Sequence, residues 1–143
     1  MIEISAIGGR GGTDVKAMAA VLAVVAVGAL CAACGTGYPA AMVQHDQTLA
    51  ESVFTDLAAG NSTQVVGQFD AKMTAALTAT KLGQDWSALT AANGAFQKEG
   101  APTAFGAGGD LVVDIPLEFA HGTRVGRVSY DSQGQVAGLF FLP

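Results

Sequence analysis

Residues 111–119, LVVDIPLEF, decide the fold: Leu111, Val113, Ile115, Leu117 and Phe119 alternate with Asp114, Pro116 and Glu118. A period of two marks a strand with one face on a core and the other toward water. Downstream, Ala120-His121-Gly122 supplies a hairpin loop and Thr123–Tyr130 returns as the next strand. The alternation slips at Gly126, so a β-bulge is expected there. Asp131-Ser132-Gln133-Gly134 forms a second turn, with Gly134 suited to positive φ. Gln135–Leu142 is the last strand, with Val136, Phe140 and Leu142 on one face and Ala137, Leu139 and Phe141 on the other. A strand apolar on both sides needs cover on both. Upstream, 96–105 reads as a weaker first strand, interrupted at Gly100 to Pro102.

Ahead of these strands the period changes to that of a helix. Met42, Val43, Leu49, Ala50, Val53, Phe54 and Leu57 share one face at 100° per residue, opposite Gln44, Thr48, Glu51, Ser52 and Thr55. Gly60-Asn61 supplies a left-handed stop. Ser62 is the expected cap of a second helix, in which Val65, Phe69, Met73 and Leu77 recur every four residues until Asp70 divides them. A third helix follows Thr78 or Thr80, carries Leu82, Trp86 and Leu89, and stops at Gly94. Helices first and an antiparallel meander after them give an α+β domain, with amphipathic helices packed on a four-stranded sheet.

Before this domain the chain runs apolar from Ala17 to Ala33, without charge, Pro, Asn or Gln. That length lies between a signal-peptide core and a spanning helix. Small Ala32 and Ala33 precede Cys34, and Gly35 comes after it. The spacing resembles a bacterial lipobox, although Cys31 stands where Leu is usual. Residues 1–33 are therefore expected to be a signal peptide, with Cys34 acylated and 34–41 a short tether to the domain at 42–143. An uncleaved membrane helix is the alternative, and it leaves the domain on the same, extracytoplasmic side. Residues 1–14 are expected to be a mis-assigned start, because opening at Val15 would put Lys16 directly before the apolar run.

Charge narrows the partners. Glu3 and Asp14 balance Arg10 and Lys16, so the residues beyond the apolar run keep the whole chain's net charge of −5. Nucleic acid, which demands clustered Lys and Arg, is excluded as a partner. Electrostatic attachment to anionic lipid is disfavoured, which leaves the covalent anchor to hold the membrane. Cys31 and Cys34 have redox spacing but lie inside the apolar run, with no further cysteine to complete a zinc site.

From about Leu49 to Pro143 the chain resembles the bacterial "domain of unknown function 3887" family, of the nuclear-transport-factor-2-like group. The residues that carry the likeness are Phe69-Asp70 with Met73; Leu82, Trp86, Leu89 and Gly94-Ala95-Phe96; Val113 to Phe119; and Val136-Ala137-Gly138-Leu139-Phe140-Phe141 with Pro143. The resemblance implies a curved, cone-shaped sheet covered by helices. Relatives often carry this domain ahead of a serine hydrolase, and no catalytic residue is implied.

Within such a cone, Trp86, Phe105, Tyr130 and Phe140 are the candidate pocket lining, with plain core packing as the alternative. His45 and His121 lack a partner motif and read as solvent-facing. Asp114 and Glu118 share a strand face but stand roughly 13 Å apart, too far for a glycosidase pair. Glu118 is expected to face Arg124 across the hairpin. The glycines around 106–109 precede no helix, so they cradle no phosphate. No catalytic residue, metal site or cofactor is expected. The expected role is a lipid-anchored, cell-envelope binding module, possible as a homodimer through its sheet. The alternatives are an accessory subunit of a hydrolase or envelope enzyme, and a small cone-fold enzyme with one acid–base residue.

Overall fold

Pro39, with φ −57° and ψ 139°, introduces α1 (Ala40–Ala58). The ring's fixed φ suits the entry to a helix. Val43, Ala50, Val53, Phe54 and Leu57 form the helix's buried stripe, and Asp46 is buried among them. Gly60, at φ 82°, turns the chain out of the helix. The computed structural model describes residues 37–143. The leader, the expected start, Cys34 and the first residues of the tether lie outside the described residues. Among the described residues no helix is long and apolar enough to cross a membrane.

Two short helices and one long one come next: α2 (Ser62–Val66), α3 (Ala71–Ala76) and α4 (Ala79–Asn93). The N-cap of α2 is Asn61, and Ser62 is already helical rather than the expected cap. Asp70 does divide the apolar run, because its carboxylate accepts the Met73 N–H at 2.7 Å and starts a new helix. Thr78 does the same for α4, accepting the Lys81 N–H at 3.2 Å. Gly94, at φ 81°, ends α4 where a Cβ would meet the Ala120 Cβ at 2.8 Å.

The sheet is antiparallel and has five strands: β1 (Phe96–Glu99), β2 (Thr103–Ala107), β3 (Asp110–Phe119), β4 (Gly122–Tyr130) and β5 (Val136–Leu142). Its order is β1-β3-β4-β5, with β2 also on β3. The expected four strands become five because the first is divided. β1 pairs with Leu117–Phe119 and β2 with Asp110–Asp114, along one edge of β3. Between them Gly100 donates its N–H to the Pro116 carbonyl at 2.7 Å, and Pro102 has no N–H to offer a ladder. Gly108 and Gly109, both at positive φ, close the two-residue hairpin between β2 and β3.

Two expectations about register are corrected. Gly126 is not a bulge, since β3 and β4 pair without a break from Leu111↔Tyr130 to Phe119↔Gly122. The irregularity lies in β5, where Ser129 pairs with Gly138 but Tyr130 pairs with Val136. The extra residue, Ala137, shifts the remainder of the strand by one. Val136, Leu139 and Phe141 therefore pack on the core, while Gly138, Phe140 and Leu142 take the outer face.

Between helices and sheet the space is filled by rings. Trp86 lies 5.5 Å from Phe96, 5.9 Å from Phe119 and 5.9 Å from Phe141, centroid to centroid. Phe54 reaches Phe141 at 6.2 Å. These are the offset and edge-on arrangements that aromatic quadrupoles favour.

Candidate functional site

On the helix side of the sheet, one residue breaks the apolar pattern. Asp46 lies three positions after Val43 and four before Ala50, so helix geometry carries it onto the buried stripe. It is 1 % exposed, and its Oδ2 finds no hydrogen-bond partner. Burial pushes its carboxyl above the usual aspartate range, while the neighbouring His45 pulls the other way. Tyr130 in β4 is likewise 1 % exposed, and its hydroxyl also lacks a partner. Burial raises the phenol's pKa, and the charge of Asp46 raises it further. The two groups thus share one low-dielectric environment. Buried polar atoms are nearly always paired, so the unpartnered Asp46 Oδ2 and the unpartnered Tyr130 hydroxyl each call for a physical cause.

The outer face of the sheet carries a second constellation. Register sets Arg127 opposite Asp114 on one side and opposite Phe140 on the other. Its Nε donates to Asp114 Oδ1 and its second terminal nitrogen to Oδ2, both at 2.7 Å. This is the paired geometry that a planar guanidinium makes with a carboxylate. The same guanidinium lies 5.3 Å from the Phe105 ring centroid. Phe140, beyond it, is 52 % exposed.

The four aromatics expected to line one pocket are therefore divided between two faces. Trp86 and Tyr130 belong to the interior, Phe105 and Phe140 to the outer face. A shallow groove of about 500 Å³ lies where the end of α1 meets α2 and α4. Of the four it reaches Trp86 alone, together with Leu57 and the polar Ser62, Thr80, Gln84 and Ser87.

Other expectations are sorted by the register. Glu118 does not face Arg124, which stands opposite Leu117 on the other side of the pleat; its ion partner is Lys98, at 3.4 Å. Asp114 and Glu118 hold separate cations, so they do not act as a pair. His45 and His121 are both exposed. Among the described residues no three His, Cys, Asp or Glu side chains gather where a metal could bind.

A family model described as "Protein of unknown function (DUF3887)" matches residues 50–139, from the buried stripe of α1 into β5. The chain belongs to the DUF3887 family. Comparison with curated proteins and with solved structures finds no match. The DUF3887 span holds Trp86, Phe105, Asp114, Arg127 and Tyr130, whereas Asp46 and Phe140 stand just outside its two ends. Two members of the constellations are absent from the sequence-derived candidates: Asp46 and Arg127. The first is signalled by its place on the apolar stripe. The second lies across the hairpin from Asp114 only because the loop is the two residues Ala120-His121, with Gly122 already in β4; the expected three-residue loop, Ala120 to Gly122, sets Asp114 opposite Val128 instead.

Proposed function

We propose that this DUF3887 protein is a lipid-anchored, extracytoplasmic, non-catalytic interaction module whose contact surface is the outer sheet face around Phe140. The observation that supports it is the exposure of that ring, 52 %, the one large hydrophobic side chain among the described residues that stands exposed. Solitary exposed apolar residues are common, but this one continues a strand without charge, since 135–143 contains no acid or base. The anchor rests on Cys34 behind Ala32-Ala33 and the apolar run. A second copy, meeting this face with its own, is the proposed partner. The uncharged strip suits it, because a chain of net charge −5 repels itself elsewhere.

Light scattering behind size-exclusion chromatography on residues 36–143 tests the contact. A dimer is expected, and a clean monomer at micromolar concentration removes it. Palmitate labelling tests the anchor, which requires incorporation that a Cys34→Ala chain loses. If the monomer instead co-purifies from membranes with a hydrolase or another envelope enzyme, the accessory-subunit reading takes its place.

A second reading, a small enzyme with one acid–base residue acting on an apolar molecule, is favoured by Asp46, a buried carboxyl with a raised pKa. It requires the folded domain to take up an apolar probe such as Nile red with one-to-one stoichiometry, and Asp46→Asn to change that affinity. A domain that binds none of the probe cannot be such an enzyme.

A further inference from the structure

The groove where α1, α2 and α4 meet combines open space, an uncharged wall and a nearly buried donor that the fold does not use. Its volume of about 500 Å³ falls within the range of roughly 300–1,000 Å³ common to small-molecule sites. Leu57 and Trp86 supply its apolar part, while Thr80, Gln84 and Ser87 recur at helical spacing along α4. Ser62 joins them from α2, close to α4 because residue 83 is a glycine: a Cβ there would stand 3.2 Å from Ser62 Oγ. Ser87 Oγ donates to the Gly83 carbonyl at 2.8 Å and keeps its lone pairs as acceptors. The hydroxyls of Ser62 and Thr80 and the amide of Gln84 have no hydrogen-bond partner among the described residues.

Trp86 is the second observation. It is 8 % exposed, and its ring packs on Phe96, Phe119 and Phe141. No hydrogen bond among the described residues takes its indole N–H. Yet that nitrogen is not one of the fully enclosed unpaired atoms, which are Asp46 Oδ2, Gln68 Oε1 and the Tyr130 hydroxyl. It therefore touches solvent, and the groove is where Trp86 meets open space. A buried tryptophan ordinarily gives this proton to a protein acceptor. Here the proton is left for whatever enters the groove.

We propose that this groove binds a neutral saccharide of one or two rings. No wall residue is charged, and the neighbouring Lys81 and Asp85 of α4 pair with each other. An ionic ligand would thus leave water without a counter-ion. Hydroxyls and an amide both donate and accept, which matches a ligand that presents hydroxyls in several directions. Leu57 and Trp86 suit the C–H surface of a sugar ring, whereas a wholly apolar ligand would strand the polar wall. A peptide strand needs open backbone partners, which helical walls do not offer. The groove is shallow, so one side of the sugar stays in water and the dissociation constant is millimolar. It shares no residue with the outer face around Phe140, so it stands whether or not that face is an interface.

Trp86 is the only tryptophan in the chain, so its emission reports on the groove directly. Residues 36–143, a compact unit with its own core, are titrated with cellobiose, N-acetylglucosamine, glucuronate and acetyl-Ala-Ser-Ala-amide, with glycerol as the solvent control. The two neutral sugars should shift the emission saturably and move the indole N–H resonance over the same concentrations. Gln84→Ala and Ser87→Ala change exposed helix positions, so both should fold and each should weaken sugar binding about three- to tenfold. If either variant fails to fold, the titrations of the unaltered protein decide alone. No saturable response to either sugar overturns the proposal. A response to the peptide, glucuronate or glycerol that equals the sugars' also overturns it, because neutral hydroxyl recognition is then not the cause. An indole resonance that stays fixed while the emission changes places the sugar elsewhere and overturns the site.

Discussion

Gly126 in β4 takes the ring of Phe54 in α1 against its backbone: a Cβ there would stand 2.7 and 2.8 Å from the ring's Cε1 and Cε2. The glycine is needed for space and not for conformation, because its φ is not positive. Gly126→Ala should therefore cost about 1–3 kcal/mol through overpacking. In urea the midpoint should fall with the slope unchanged. Adding Phe54→Leu should recover part of the loss, so the two changes will not add. Strictly additive effects would show that the ring moves aside at no cost.

The same contact shows what a sequence can and cannot reveal. The slip in alternation at Gly126 is legible, but its cause, a ring arriving from a helix some seventy residues earlier, is not. The alternation in 111–119 survives intact because nothing interrupts β3, which pairs on both sides along most of its length. β5 misleads because a single extra residue, Ala137, exchanges the two faces, and all its neighbours are apolar whichever way they point. That exchange is why Phe140, expected in a pocket, stands on the outside. Asp46 escapes notice for the opposite reason: a stripe is recognised by its apolar members, and a carboxylate among them leaves no mark on the pattern.

Asp46 should leave a signature in the pH dependence of stability. Its folded-state pKa is raised above the ordinary value of 3.8, chiefly by burial. The folded protein therefore holds this proton more tightly than the unfolded chain. The stabilisation is complete below the ordinary value and is lost as pH rises through the raised one. Asp46→Asn should gain on the unaltered protein as pH climbs through that window and keep pace above it. Glu99, also raised by burial against the opposing hydrogen bond from Thr55, adds a slope of the same sign. Denaturation midpoints of Asp46→Asn, Glu99→Gln and the double variant separate the two. An Asp46→Asn curve parallel to that of the unaltered protein would mean that the carboxyl is solvated.

Arg127 joins Asp114 and Phe105 in a way that lysine cannot copy. Its side chain is 35 % exposed and that of Asp114 is 23 %, so solvent screens part of the attraction. Even so, two parallel hydrogen bonds and a ring contact make this more than an ordinary surface pair. Arg127→Lys should cost about 1 kcal/mol, because an ammonium offers neither the fork nor the flat face. Asp114→Asn should cost a similar amount, and the double variant less than the sum. A double-mutant cycle with no coupling would reduce the pair to an incidental surface contact.

Phe140 separates stability from association. Its ring leans over Gly138, whose Cβ would meet Cε2 at 2.8 Å, and half of the side chain faces solvent. It is not among the rings around Trp86, so its removal leaves the core untouched. Phe140→Ser should shift unfolding free energy by no more than about 0.5 kcal/mol, as exposed positions do. Its effect should appear in the association state, with the proposed dimer of residues 36–143 becoming a monomer. Phe141→Ser, one residue on, is the contrast. That ring packs on Trp86 and Phe54, so its loss should destabilise the fold by several kcal/mol. If Phe140→Ser remains as dimeric as the unaltered chain, the contact lies elsewhere on the molecule. If it unfolds instead, the outer ring supports the sheet in a way its exposure does not suggest.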